Sequence, residues 1–67
     1  MEKFCERFKE LRKENNLSTV ELGKKLAVSN STITRWENGT IIPSIEHLYN
    51  IAVLFNVSAD YLLGLED

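Results

Sequence analysis

Apolar residues recur along the chain at three- and four-residue spacing, and nowhere do they alternate with polar ones as a half-buried strand requires. The first stripe is Phe4, Phe8 and Leu11 in a segment that reads as a helix from Glu2 to about Asn15, and Asn16 after it tolerates the left-handed backbone that ends helices. Leu22 and Leu26 share a face of a second, short helix. Ser18 with Glu21 three residues on forms the capping box at its start, and Gly23 beside the stripe leaves room for another helix to approach. Ala27-Val28-Ser29 is a turn. A third helix follows from Asn30 to about Asn38, capped by Ser29 and stopped by Gly39. Ser44 caps a fourth helix, whose inward stripe is predicted to be Ile45, Leu48, Ile51, Ala52 and Phe55, with His47 on the opposite side and Asn56 at its end. Ser58 caps a last helix from Ala59 to Leu63, stopped by Gly64. The expected fold class is all-α.

The third helix carries the most informative face. At about 100° per residue, Ile33, Trp36 and Glu37 fall on one side, and Asn30, Ser31, Thr34 and Arg35 on the other. The first side holds the apolar anchors; the second groups amide, hydroxyl and guanidinium groups with no large apolar residue. These are the groups that base edges require. Arg forks onto guanine O6/N7, Asn onto adenine N6/N7, and Ser or Thr serves either or touches a thymine methyl. The competing account is a plain amphipathic helix with a solvated face.

The run LSTVELGKKLAVSNSTITRWENG, followed by PSIEHLYNIAVLFNVSADYLLG, resembles the phage repressor/Cro-type (XRE-like) helix-turn-helix family from about Phe8 to Gly64. The most specific pieces are L-S-x-x-E-L, V-S-x-S-T-I-x-R-W-E-N-G and D-Y-L-L-G. The resemblance implies a five-helix bundle, the lambda repressor-like DNA-binding domain. In it a helix-turn-helix unit at about 18–39 places Asn30, Ser31, Thr34 and Arg35 against bases in the major groove of a two-fold operator. It also implies that Arg12, near the end of the first helix, pairs with Glu37, near the end of the third. Three positions depart from the family pattern. Thr19 stands where glutamine is frequent, and Thr40-Ile41-Ile42-Pro43 where Lys/Arg are frequent. Ala27 stands where glycine is frequent, which implies a turn without a strictly glycine conformation.

Charge bears on this reading through its distribution. The formal net charge is −2, but residues 1–44 carry eight Lys/Arg against six Asp/Glu, and residues 45–67 carry four acids and no Lys/Arg. The positive end lies over the reading unit. Phosphate contacts are expected from Ser18 and Thr19 at the amide end of the second helix, from Asn38 and Thr40 past the third, and from Lys13, Lys24 and Lys25. On the first helix, Glu2, Glu6, Arg7, Lys9 and Glu10 read as a solvated, mixed-sign face, and Cys5 as a small packing residue.

Some apolar residues exceed what the bundle can cover. Ile41 and Ile42 either tuck one side chain under the fourth helix or place one on a partner subunit. Tyr49, Val53, Leu63 and Leu65 are the candidates for a homodimer interface. The 67 residues are read as one domain, 1–67. At this size only about 60% of the unfolded chain's surface is removed from water on folding, so stability is modest. The short ending LLGLED fits either a complete chain or one domain of a longer regulator.

Several function classes are not supported. One cysteine excludes an internal disulfide, and there is no signal peptide or long apolar run, so the expected location is cytoplasmic with no membrane contact. No metal-ligand spacing, cofactor motif, small-molecule site or catalytic set is evident; Asp60, Glu66 and Asp67 form a solvated acidic end. The sequence thus points to a repressor-like transcriptional regulator on a double-stranded DNA operator. The alternative is an antitoxin-like or antirepressor-binding interaction module on the same fold.

Overall fold

Five helices and their caps organise the chain: α1 (Glu2–Glu14), α2 (Thr19–Leu26), α3 (Asn30–Asn38), α4 (Ile45–Phe55) and α5 (Ala59–Leu63). The computed structural model describes all 67 residues. Four of the five starts are written in serine. The side chains of Ser18, Ser29, Ser44 and Ser58 accept the amides of Glu21, Thr32, His47 and Tyr61 at 2.9–3.2 Å, satisfying donors that the first turn leaves open. The ends are equally local. Asn16, Ala27, Gly39, Asn56 and Gly64 all have positive φ and turn the chain out of its helix.

Ala27 corrects one expectation. Its φ of 59° and ψ of 42° are fully left-handed, so the turn keeps the glycine conformation and an alanine Cβ is forced into it. Left-handed backbone costs an L-residue about 1–2 kcal/mol, and glycine's extra chain entropy returns about half of that. Ala27→Gly is therefore expected to stabilise the fold by about 0.5–1 kcal/mol, raising the thermal midpoint by roughly 2–8 °C. A lower midpoint for that variant would contradict the strain.

The helices bury their stripes against one another. α2 and α3 pack side by side, α1 lies against α3 and α5, and α4 meets α5 and α2. Phe4, Phe8, Leu11, Leu22, Leu26, Ile33, Trp36, Ile51 and Leu62 make one buried cluster that contains no polar side chain. Phe8 links its layers. It stacks on Phe4 with ring centroids 5.3 Å apart and meets Trp36 edge-on at 5.9 Å.

α4 buries its expected stripe except at Ile45, and His47 departs from its expected outward place. Ile51 is fully buried and Leu48, Ala52 and Phe55 pack against the core, but Ile45 is 87% exposed. Ile45 lies about 120° around the helix from Ile51, on the same side as Tyr49 and Val53. His47, expected outside, lies about 40° from Ile51 on the other flank and packs inward. Its ring centroid is 5.1 Å from that of Trp36, and its Nδ1 is 3.0 Å from Ser44 Oγ.

Arg7 is a second correction, because it is not part of a solvated face. Its Nη1 donates to the carbonyl oxygens of Tyr61 at 2.5 Å and Glu66 at 2.6 Å, and its guanidinium lies 4.3 Å over the Tyr61 ring. Ser58 Oγ donates to the Glu66 carboxylate, closing the C-terminal segment onto the start of α5. Ile41 and Ile42 are both exposed, so neither side chain plugs α4.

Candidate nucleic-acid interface

The α2–turn–α3 unit closes on Gly23. A Cβ at that position would stand 2.6 Å from the Val28 carbonyl oxygen and 3.3 Å from the Ser29 carbonyl carbon. The neighbour that needs the space is thus the backbone of the turn itself. With the turn drawn in, Ile33 and Trp36 face the core at 0% and 2% exposure, and Asn30, Ser31, Thr34 and Arg35 are all exposed on the opposite side of α3.

The hydrogen bonding of that outer face is uneven. Thr34 Oγ1 donates to the Asn30 carbonyl oxygen at 3.2 Å, one turn back along the helix. The side-chain amide of Asn30, the hydroxyl of Ser31 and the guanidinium of Arg35 have no partner within the chain, and the single ion pair of the molecule lies elsewhere. Three unspent donor groups therefore project from one short rigid element.

That ion pair fixes the far end of α3. Arg12 Nε donates to Glu37 Oε2 at 2.6 Å, Arg12 Nη2 to Glu37 Oε1 at 3.2 Å, and Arg12 Nη1 to the Leu17 carbonyl oxygen at 3.0 Å. The two side chains are only 14% and 9% exposed. The forked geometry ties α1, the α1–α2 connection and α3 together. The hydrogen bond with Glu37 raises the pKa of Arg12 above its ordinary value, against a smaller opposing effect of burial.

Around this face lie the residues expected near phosphates. Ser18 Oγ accepts the Glu21 amide at 3.0 Å. The Ser18 amide donates to the Glu21 carboxylate at 2.8 Å, and this bond, with the Ser18 side chain second, lowers the Glu21 pKa. A lowered folded value means that the cap contributes stability above the ordinary carboxylate range and loses it as pH falls through the folded value. Thr19 is half-buried, whereas Lys13, Lys24 and Lys25 are exposed. Past α3, Asn38 Oδ1 accepts both the amide and the hydroxyl of Thr40, at 2.9 and 2.5 Å. The Thr40 hydroxyl proton is thereby committed within the turn, and the Asn38 Nδ2 group is the free donor at this end.

A second surface lies away from α3. Ile45, Leu48, Tyr49, Ala52, Val53, Asn56, Val57 and Ala59 line an open groove of about 500 Å³ along α4 and the start of α5. Tyr49 and Val53 are 66% and 61% exposed there. Leu63 and Leu65 are exposed but do not form its walls. The sequence reading missed Ile45 as a lining residue. The signal was present, because Ile45, Tyr49 and Val53 recur every four residues.

The helix-turn-helix family model matches residues 8–62. The chain belongs to the helix-turn-helix family. Among relatives, it is 34% identical over 64 residues to the uncharacterised HTH-type transcriptional regulator YobD of Bacillus subtilis (strain 168), covering 96% of this chain and 57% of YobD. It is 38% identical over 64 residues to the HTH-type transcriptional activator BcrR of Enterococcus faecalis, covering 96% of this chain and 31% of BcrR. The chain thus spans a little over half the length of YobD and less than a third of that of BcrR. The fold matches that of the P22 c2 repressor, solved in complex with synthetic operator 9T, with a TM-score of 0.83 and 34% identity over 88% of this chain and 89% of that one. The all-α, five-helix architecture is therefore that of the helix-turn-helix family and is similar to that of the P22 c2 repressor.

Proposed function

We propose that this chain is a sequence-specific DNA-binding transcriptional regulator of repressor type, acting in the cytoplasm by occupying a two-fold operator as a homodimer. α3 enters the major groove; Asn30, Ser31, Thr34 and Arg35 meet base edges, and Ser18, Thr19, Asn38, Thr40, Lys13, Lys24 and Lys25 lie toward phosphates. The observation that carries this reading is the outward face of α3. Its unpartnered donors stand on a helix anchored by Ile33, Trp36 and the Arg12–Glu37 pair. The relation to a repressor solved on a synthetic operator supports the same assignment.

Selection of bound sites from random oligonucleotides tests it. Arg35→Ala is expected to cost about 1–3 kcal/mol on the selected site and much less on random DNA. Equal losses on both would move Arg35 from base reading to phosphate contact. If a dimer neutralises about 4–6 phosphates, log K falls against log salt with a slope of roughly −4 to −5.

For the dimer, the groove on α4 and α5 offers the apolar surface, with Tyr49, Val53 and Ile45 at its centre and Leu63 and Leu65 outside it. A two-fold contact there would set two copies of α3 about 34 Å apart, one turn of DNA. Val53→Asp is expected to shift the sedimenting species on operator DNA from two copies to one and to weaken binding at least tenfold. Unchanged stoichiometry and affinity would remove the groove from the assembly. The rival reading, an antitoxin-like or antirepressor-binding module, draws on the same groove. It predicts that no DNA site is enriched at all.

A further inference from the structure

The groove along α4 and α5 is apolar in its lining and acidic at its rim. Glu46 is exposed and lies about 20° around α4 from Val53 and about 60° from Tyr49, so it shares their face. Asp60 is exposed and directly follows Ala59, the lining residue at the start of α5. Neither carboxylate is ion-paired, since the one ion pair of the molecule joins Arg12 to Glu37. Residues 45–67 hold four acids and no Lys/Arg. The cations that reach this end come from α1 and stand by the last turn: Arg7 donates to the Glu66 carbonyl oxygen, and the stem of Lys3 lies against Gly64. A two-fold contact is self-complementary, so whatever charge one copy brings to the face its partner brings as well. Closing the groove on a second copy therefore sets the Glu46 and Asp60 carboxylates of both around one apolar patch, with no cation from α4 or α5 among them. Apolar burial favours that contact and like-charge repulsion opposes it, but only the repulsion fades as the Debye length shrinks.

We propose that this groove is an ionic-strength-gated interface between two copies of the chain. Glu46 and Asp60 at its rim hold free copies apart at low salt, and screening lets the apolar faces close. The inference rests on the dimer reading above and adds its regulation. Salt then acts with opposite signs on the two steps of operator occupancy. It tightens the pairing of copies while it loosens their grip on phosphates.

Sedimentation equilibrium of the free chain in sodium chloride, from about 0.01 M to about 1 M, tests it. Over that range the Debye length shrinks from about 30 Å to about 3 Å. The dimer dissociation constant of the wild type is expected to fall about threefold. In Glu46→Gln/Asp60→Asn it is expected to start about threefold lower and to stay level across the series. Helical circular dichroism checks that the variant folds, and the wild-type series stands without it. A wild-type dimer that weakens with salt, or does not respond, would overturn the gate and leave the dimer reading intact. Equal tightening in the wild type and the neutralised variant would assign the effect to the apolar surface and overturn it as well. So would two copies on operator DNA with no free dimer even at the highest salt. No two-copy species at any salt, free or on operator, would remove the dimer itself, and the gate with it.

Discussion

Trp36→Ala is expected to destabilise the fold by about 3–5 kcal/mol, the usual cost of truncating a buried aromatic side chain. A chain of 67 residues holds on the order of 3–10 kcal/mol in total, so the variant should be partly or wholly unfolded at 25 °C. The size of the effect follows from what the indole touches. It is 2% exposed, takes the edge contact of Phe8 and lies beside the tilted ring of His47, and so joins α3 to both α1 and α4. Trp36→Phe keeps part of this packing and should lose only about 1–2 kcal/mol. Urea unfolding followed by circular dichroism gives the comparison, with an unchanged slope showing that the midpoint shift is one of stability. A loss below about 1 kcal/mol for the alanine variant would mean that α3 is not held through Trp36.

Arg12→Ala is expected to cost about 2–3 kcal/mol, and Glu37→Ala somewhat less. The asymmetry has a physical reason. Without Arg12, the Glu37 carboxylate is left 9% exposed with no counter-charge, and the Leu17 carbonyl oxygen loses its donor. Without Glu37, the long Arg12 side chain can turn its head to water. In Arg12→Met/Glu37→Leu both charges disappear together, and stability should return close to that of the parent; in a double-mutant cycle with the single variants Arg12→Met and Glu37→Leu, the coupling should then nearly equal the sum of the two single losses. Strictly additive single effects would show that the pair does not act as a unit.

The caps and ends of the helices were legible because they are local. Ser18, Ser29, Ser44 and Ser58 each sit before an apolar-periodic run, and each makes the expected bond three residues on. The faces of α1 and α3 were legible because their apolar residues occupy one side only. On α4, Leu48, Ile51, Ala52 and Phe55 pack inward as their spacing implied, but Ile45 does not, because apolar residues surround this helix and periodicity alone cannot exclude its first one. His47 takes the inward place beside the Trp36 ring instead, and Ile45 faces solvent. The bonds from Arg7 to Tyr61 and Glu66 span more than fifty residues and leave no mark in spacing. Ala27 shows a different limit. Residue type alone suggested a relaxed turn, whereas closing α2 on α3 over Gly23 demands a left-handed residue whatever its side chain. The Arg12–Glu37 contact, between residues 25 apart, was visible through family resemblance and not through any local pattern.

Amide chemical-shift mapping during titration with a selected operator measures directly which surface of the molecule meets DNA. The largest shifts should fall on Asn30, Ser31, Thr34 and Arg35, with smaller ones at Ser18, Thr19, Asn38 and Thr40. Shifts confined to the α4–α5 groove around Ile45, Tyr49 and Val53, with the outer face of α3 unmoved, would contradict DNA reading by α3.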